Sequence, residues 1–417
     1  MKKFLLFSMM ALVAMCGLNS CSEDCDHDMI EHDHSADLVG TWTCFEEGFA
    51  NALVIKADGS MVSTGVLGEE YWEDLKGTIT VENGKATLNY EDGVTIEGHI
   101  DIIPGMAFSI LQDNGARVTF KYCANDLSEE VVGMWVCHEG LPGVENDMAI
   151  FTYSEDGKMT MTTQASAFIP ADFVNVVCDY KVVGDIMFKN VPNENTSEGN
   201  AFCQPVRLAY TANGTTLGDI LIENIFAPYE NGVVEITSSW LRIKQHLELS
   251  GKAYDYNNTY VSNVKGLDED MTMMGYTFNI AKMEGKNLDK MLKTLLFAVE
   301  FPTANTIKYQ YHYNGLNLVF EAPIVVDGNK VTIKMSELST YYRDVDMYMF
   351  QDQDNTQLHM YMPTYSFINY FANMDLAALT VTGDIDLTDE SAVKAIFDRM
   401  DERVESINVS FIFKAAK

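Results

Sequence analysis

The sequence predicts a mainly β chain, with two tandem antiparallel β-barrels or sandwiches followed by an α+β domain. Three observations carry this reading. The stretch Leu38-Val39-Gly40-Thr41-Trp42-Thr43-Cys44 recurs as Val131-Val132-Gly133-Met134-Trp135-Val136-Cys137, and such self-similarity marks a repeated unit. Each copy is followed by short alternating segments separated by Asn-Gly or Asp-Gly, the strongest short-range hairpin signals. All four Trp and every Cys fall before residue 250, so the remaining chain has a different composition.

The N-terminus reads as an export signal over residues 1–20. Lys2 and Lys3 precede an apolar run over residues 4–13, too short to span a bilayer. Leu18-Asn19-Ser20-Cys21 resembles a bacterial lipobox, and the resemblance implies acylation of Cys21 and a lipid anchor in the outer membrane. Ser22-Glu23-Asp24 resembles the surface-export signal of Bacteroidetes lipoproteins, so a cell-surface placement is expected over a periplasm-facing one. Residues 21–37 form an acidic, His/Asp-rich tether. His27, His32 and His34 are candidate metal ligands there, since imidazole and carboxylate suit Zn, Cu or Ni. Their spacing matches no closed site, which favours a solvated linker.

The first β unit covers residues 38–126, with strands expected at 41–46, 52–56, 61–65, 75–81, 85–90, 94–102, 106–111 and 117–122. Asp58-Gly59, Asn83-Gly84, Asp92-Gly93 and Asn114-Gly115 are its turns. The second unit covers 128–265, with strands at 133–139, 149–153, 158–165, 175–183, 185–189, 206–210, 218–223, 233–238 and 241–249. Residues 254–263, rich in Asn and Tyr, read as its exit linker. In both units the large Trp fits the end of a small barrel, and the Gly two residues earlier lets the backbone approach closely. This Gly-X-Trp at a first strand resembles the lipocalin-like (calycin) motif, with Gly40, Trp42, Gly133 and Trp135 as its structural residues. The resemblance implies two small lipocalin-like barrels and a basic residue from the last strand packed on each Trp. Arg117 or Lys121 is the candidate in the first unit and Arg242 in the second. An ordinary β-sandwich core is the competing reading.

Cysteine use allows disulfides in an exported chain. Cys44 with Cys123 would join the first and last strands of a barrel, and Cys178 with Cys203 would staple the long loop of the second unit; buried free thiols are the equal alternative.

Residues 266–417 form the α+β domain, an antiparallel sheet with two or three helices. Leu288, Met291, Leu292, Leu295, Leu296 and Val299 recur at helical spacing, predicting a helix over 287–301 ended by Pro302. Residues 363–374 are apolar and aromatic, as a helix would be. Thr388 is placed to cap another helix over 389–404. Strands are expected at 306–313, 316–321, 330–335, 346–351, 357–361 and 407–413.

The chain has 28 Lys+Arg against 61 Asp+Glu, a net charge of −33. Loss of residues 1–20 removes two Lys and no acid, making it −35. Such a charge opposes nucleic acid and anionic lipid surfaces as partners. No phosphate-binding loop, His-Glu-X-X-His or Gly-X-Ser-X-Gly is present, and no cofactor motif. The reading is therefore a non-enzymatic envelope lipoprotein that binds an apolar small molecule or a glycan. A structural or adhesive surface protein and a hydrolase with dispersed carboxylates are the alternatives. Phe168, Phe226 and Tyr229 mark the expected ligand mouth, in the second unit, and the Tyr-rich C-terminal sheet is the other place a ligand is expected.

Overall fold

The computed structural model describes residues 34–137, 149–164, 173–193, 199, 201–211, 220–229, 232–273, 275–295, 297–313 and 315–416. The export signal, Cys21, His27, His32 and Phe168 lie outside the described residues.

The first unit is a closed eight-stranded antiparallel barrel: β1 (Gly40–Glu46), β2 (Phe49–Ile55), β3 (Ser60–Leu67), β4 (Glu70–Glu82), β5 (Lys85–Tyr90), β6 (Thr95–Ile103), β7 (Ala107–Leu111) and β8 (Arg117–Cys123). Every connection is a tight turn between neighbours. The barrel closes where Thr41, Trp42 and Thr43 of β1 face Cys123, Tyr122 and Lys121 of β8. The second unit repeats this with β9 (Gly133–Cys137), β10 (Ala149–Tyr153), β11 (Lys158–Gln164), β12 (Phe173–Val183), β13 (Ile186–Val191), β14 (Phe202–Thr211), β15 (Ile220–Tyr229) and β16 (Gly232–Ile243), closed by β16 against β9. Two closed eight-stranded barrels are the architecture that lipocalin-like proteins use.

The repeated motif has one structure in both barrels. Trp42 and Trp135 are fully buried, and their indole N–H groups donate to the carbonyls of Leu38 (2.7 Å) and Val131 (2.8 Å). Gly40 and Gly133 share a φ of 137°, which a side chain would strain. A Cβ on Gly40 would also lie 2.7 Å from the Tyr122 ring. Arg242 packs its guanidinium 4.4 Å from the centre of the Trp135 ring, and donates to the carbonyls of Val132 (3.1 Å) and Glu130. In the first barrel neither basic candidate takes that role. Arg117 reaches outward to Asp101, and Tyr122, the register partner of Trp42 as Arg242 is of Trp135, lies edge-on to the indole at 5.1 Å.

The C-terminal sheet is antiparallel and carries three α-helices among the described residues, and it too closes into a barrel. Its strands are β17 (Lys252–Gly266), β20 (Ala298–Thr303), β21 (Thr306–Tyr313), β22 (Leu316–Asp327), β23 (Lys330–Ile333), β24 (Val345–Gln351), β25 (Gln357–Met362) and β26 (Val404–Ala415). A hairpin of β18 (Asp270–Met273) and β19 (Tyr276–Asn279) stands apart. The expected exit linker over 254–263 is instead part of β17, which pairs with both β20 and β26 and buries Tyr254 and Val261. Its register slips between Tyr256 and Asn258, so the segment shows no clean alternation to mark it as a strand. Helix α1 (Gly285–Leu295) stops before Pro302, which lies inside β20. Helix α2 (Thr364–Thr382) is buried on nearly every side. Helix α3 (Glu390–Arg403) is capped by Asp389, not Thr388; the Asp389 carboxylate accepts from Ser391 N and Ala392 N.

Of the two readings for the cysteines, the structure has the free thiols. Cys44, Cys123, Cys178 and Cys203 are free thiols. Cys123 faces Thr41, so Cys44 sits further along β1, and strand β13 separates Cys178 on β12 from Cys203 on β14. Two strand spacings, about 9.6 Å, exceed the reach of a disulfide.

Two apolar seams join the barrels. Ala50, Ala52 and Val66 of the first pack on Ile186 and Phe188 of the second, with Phe45 and Tyr71 at the margin. Val136, Ile150 and Ile243 of the second pack on Phe350 and Tyr361 of the third.

Candidate functional site

Of the three residues expected to mark the mouth of the second barrel, only Phe226 has its side chain among the described residues. Phe226 stacks on Phe45 of the first barrel at 5.3 Å, so its ring serves the seam. Tyr229 ends β15 in the hairpin to β16, and its side chain lies outside the described residues. The barrel interior is filled by Trp135, Phe151, Tyr153, Met187 and Trp240. At its centre the Lys189 ammonium, 4.2 Å from the Phe151 ring centre, donates to both Glu223 carboxylate oxygens (3.1 and 3.2 Å), and Tyr153 donates its hydroxyl to the same group (2.9 Å). That buried charge is matched, and the space it occupies is not available to a ligand.

The Tyr-rich third sheet also turns inward. Tyr309 and Tyr311 pack inside the barrel against Tyr370 of α2, Tyr361 is buried in the seam with the second barrel, and the cavity beside Tyr309, Tyr311 and Tyr370 is only about 10 Å³. That is room for no more than one water molecule. His34 opens a short 3-10 helix over His34–Leu38, and no group of three metal-binding side chains occurs among the described residues.

The first barrel holds a cup. It opens at the end opposite Trp42 and measures about 180 Å³, lined by Asn51, Ser63, Trp72, Leu75, Tyr90 and Ile96 among others. At ~30 Å³ per water this is space for about six waters, or one small ring. A polar relay forms its floor. The Trp72 indole N–H donates to Ser63 Oγ (2.9 Å), and Ser63 Oγ donates to Asn51 Oδ1 (3.0 Å). Ser63 and Asn51 are buried, so this relay is paid for by its own hydrogen bonds rather than by water. The NH₂ of Asn51 has no protein partner among the described residues and is left for whatever enters. Burial pushes the Tyr90 phenol up to about 12, so the group stays a neutral hydroxyl. Glu70 and Asp92 stand at the rim and add acceptors.

Trp72 owes its position to two backbone features. Opposite it is Gly65, where a Cβ would lie 2.4 Å from the Trp72 ring; any larger residue would expel the indole. Next to it β4 carries a bulge. The register with β3 slips between the Ser63–Leu75 and Gly65–Trp72 pairs, and Asp74 has a φ of 50°. The bulge turns Trp72 and Leu75 both into the cup. Sequence reading missed this site because it expected β4 to begin at residue 75. The available signal was the spacing of the apolar residues Trp72 and Leu75, three apart where strict alternation allows two or four.

A wider cleft of about 360 Å³ lies between the second and third barrels, lined by Arg242, Lys244, His246, Glu248 and Gln353. Its cations are already engaged, Arg242 on carbonyls and Lys244 on Glu248.

No protein family and no curated protein matches the sequence. Among solved structures the chain is similar to a double mutant of transferrin binding protein B from Haemophilus parasuis, at 11% identity over 88% of this chain and 66% of that one, with a TM-score of 0.21. It is similar to the isotype 1 transferrin binding protein B of serogroup B Neisseria meningitidis at 9% identity, 88% and 66% coverage and a TM-score of 0.20. A porin-like protein from Bacteroides uniformis overlaps at 10% identity, 48% and 93% coverage and a TM-score of 0.13. The chain thus spans just under two thirds of the length of those transferrin-binding proteins, and overlaps this loose carry no argument about what it binds.

Proposed function

We propose that this chain is a non-enzymatic binding lipoprotein of the cell envelope, anchored at the outer surface through Cys21, whose first barrel holds one neutral sugar ring. The observation that carries the reading is the cup around Trp72. It offers an indole face and the apolar Leu75, Val94 and Ile96 for the C–H surface of a ring, beside Asn51, Glu70 and Asp92 for hydroxyls. The acidic rim, on a chain of net charge −33, disfavours carboxylated or phosphorylated ligands. The cup is also too short for an extended acyl chain. Asn51, Ser63 and Trp72 are arranged to bind, and no nucleophile with a base stands among them, so the reading is recognition and not turnover.

Titration calorimetry of the full chain with neutral monosaccharides and short oligosaccharides, against fatty acids as the comparison, tests this. Binding of a neutral sugar that falls at least about tenfold in Trp72→Ala is the expected result. Binding of fatty acids alone, or sugar binding indifferent to Trp72, would refute it.

A further inference from the structure

We propose that Lys181, in the second barrel, is a positioning residue for the cup of the first, so that the ligand site is completed by two barrels. This rests on the reading above for its ligand but not for its geometry.

The cup wall over residues 71–75 has two faces. Trp72 and Leu75 turn inward and line the cup. The bulge leaves Glu73 and Asp74, neighbours in sequence, both pointing away from it, which a regular strand does not allow. Lys181 of β12 meets both, at 3.3 Å from Glu73 Oε1 and in closer contact with Asp74 Oδ2. Asp74 is the residue with positive φ, so Lys181 holds the carboxylate at the strained point of the wall.

A second hold lies just above. Tyr71 packs 6.1 Å from the Phe188 ring and sits at the margin of the seam, and its hydroxyl donates to Glu73 at 3.2 Å. The stretch carrying Trp72 is therefore held from outside by β12 and β13, from inside by the Ser63 hydrogen bond and the space over Gly65, and along the wall by its pairing with β3, where Asp74 N–H also donates to Thr64 Oγ1 (3.3 Å). Removing the Lys181 charge leaves two adjacent carboxylates facing each other across a bulge, and the wall relaxes.

The test uses the full chain with Lys181→Met, close in length and uncharged, and Lys181→Arg. Two readouts are taken: acrylamide quenching of Trp72 emission, identified by its loss in Trp72→Phe, and calorimetric titration with neutral monosaccharides. Lys181→Met should change Trp72 quenching and weaken sugar binding about three- to tenfold, with a folding transition within about 2 °C of wild type. Lys181→Arg should restore both. The pair is partly solvent-exposed, so about 1 M NaCl, with a screening length of ~3 Å, should move wild-type Trp72 quenching in the same direction as Lys181→Met, which serves if that variant does not fold. Unchanged quenching in Lys181→Met and in salt, or a loss that Lys181→Arg does not restore, would overturn the proposal. If no sugar binds the wild type but quenching responds to Lys181 and is restored by Arg, the clasp stands and the sugar reading falls.

Discussion

Each entry tryptophan closes its own loop of backbone by donating to the carbonyl four residues earlier, and each fills the end of a barrel with no exposed surface. Removing either side chain leaves a large hole that neighbouring strands cannot fill. Trp42→Ala and Trp135→Ala should each cost about 3–5 kcal/mol, measured by denaturant unfolding; a loss under about 1 kcal/mol would show that the rings are not the plugs described. The Gly-X-Trp pair was readable in the sequence because its physics is local: one φ angle, one close approach, one large ring. The partner of each Trp was only half readable. Arg242 follows from the family resemblance, but Tyr122 takes the same register position in the first barrel, and only strand pairing reveals it. Trp72 was missed for a similar reason, since its direction depends on a bulge two residues away.

At the scale of elements, β25 illustrates a cost the fold accepts. His359 lies on the outer face of the third barrel, the face that packs on the second, between Phe350 of β24 and Ile412 of β26, and its burial pushes its pKa down to about 4. The unfolded chain takes up that proton near the ordinary value of 6.5, so the imidazole stays neutral in the fold. The folded state is thus fully stable above about pH 6.5 and loses stability as pH falls towards 4, by up to about 3 kcal/mol from this group. Denaturant unfolding at pH 7 and pH 4.5, in wild type and in His359→Gln, should show the wild type losing more; equal losses would mean His359 is not the source. The helices α2 and α3 were readable from apolar spacing and composition. Strand β17 was not, because its identity lies in pairing between residues as distant as Tyr254 and Ala415, which no local pattern carries.

At the scale of the molecule, the three barrels share buried residues. Phe188 is 1% exposed and sits between the first two, so Phe188→Ala should weaken both by about 3–5 kcal/mol in total and uncouple their melting in calorimetry; an unchanged melting profile would show that the seam is not structural. No helix among the described residues is long and apolar enough to cross a membrane. With Cys21 as the anchor, Cys21→Ala should move the protein out of the membrane fraction and abolish incorporation of labelled fatty acid, and retention at the membrane would exclude that anchor. The central claim is that the Trp72 cup is a ligand site. Trp42 and Trp135 are fully buried, Trp240 is 5% exposed and Trp72 is half-buried, so emission quenched by acrylamide comes chiefly from Trp72. Acrylamide quenching of the full chain with and without a saturating neutral sugar tests the claim most directly: the sugar should shield Trp72 and a fatty acid should not, whereas quenching that no sugar alters, or that a fatty acid alone suppresses, would contradict it.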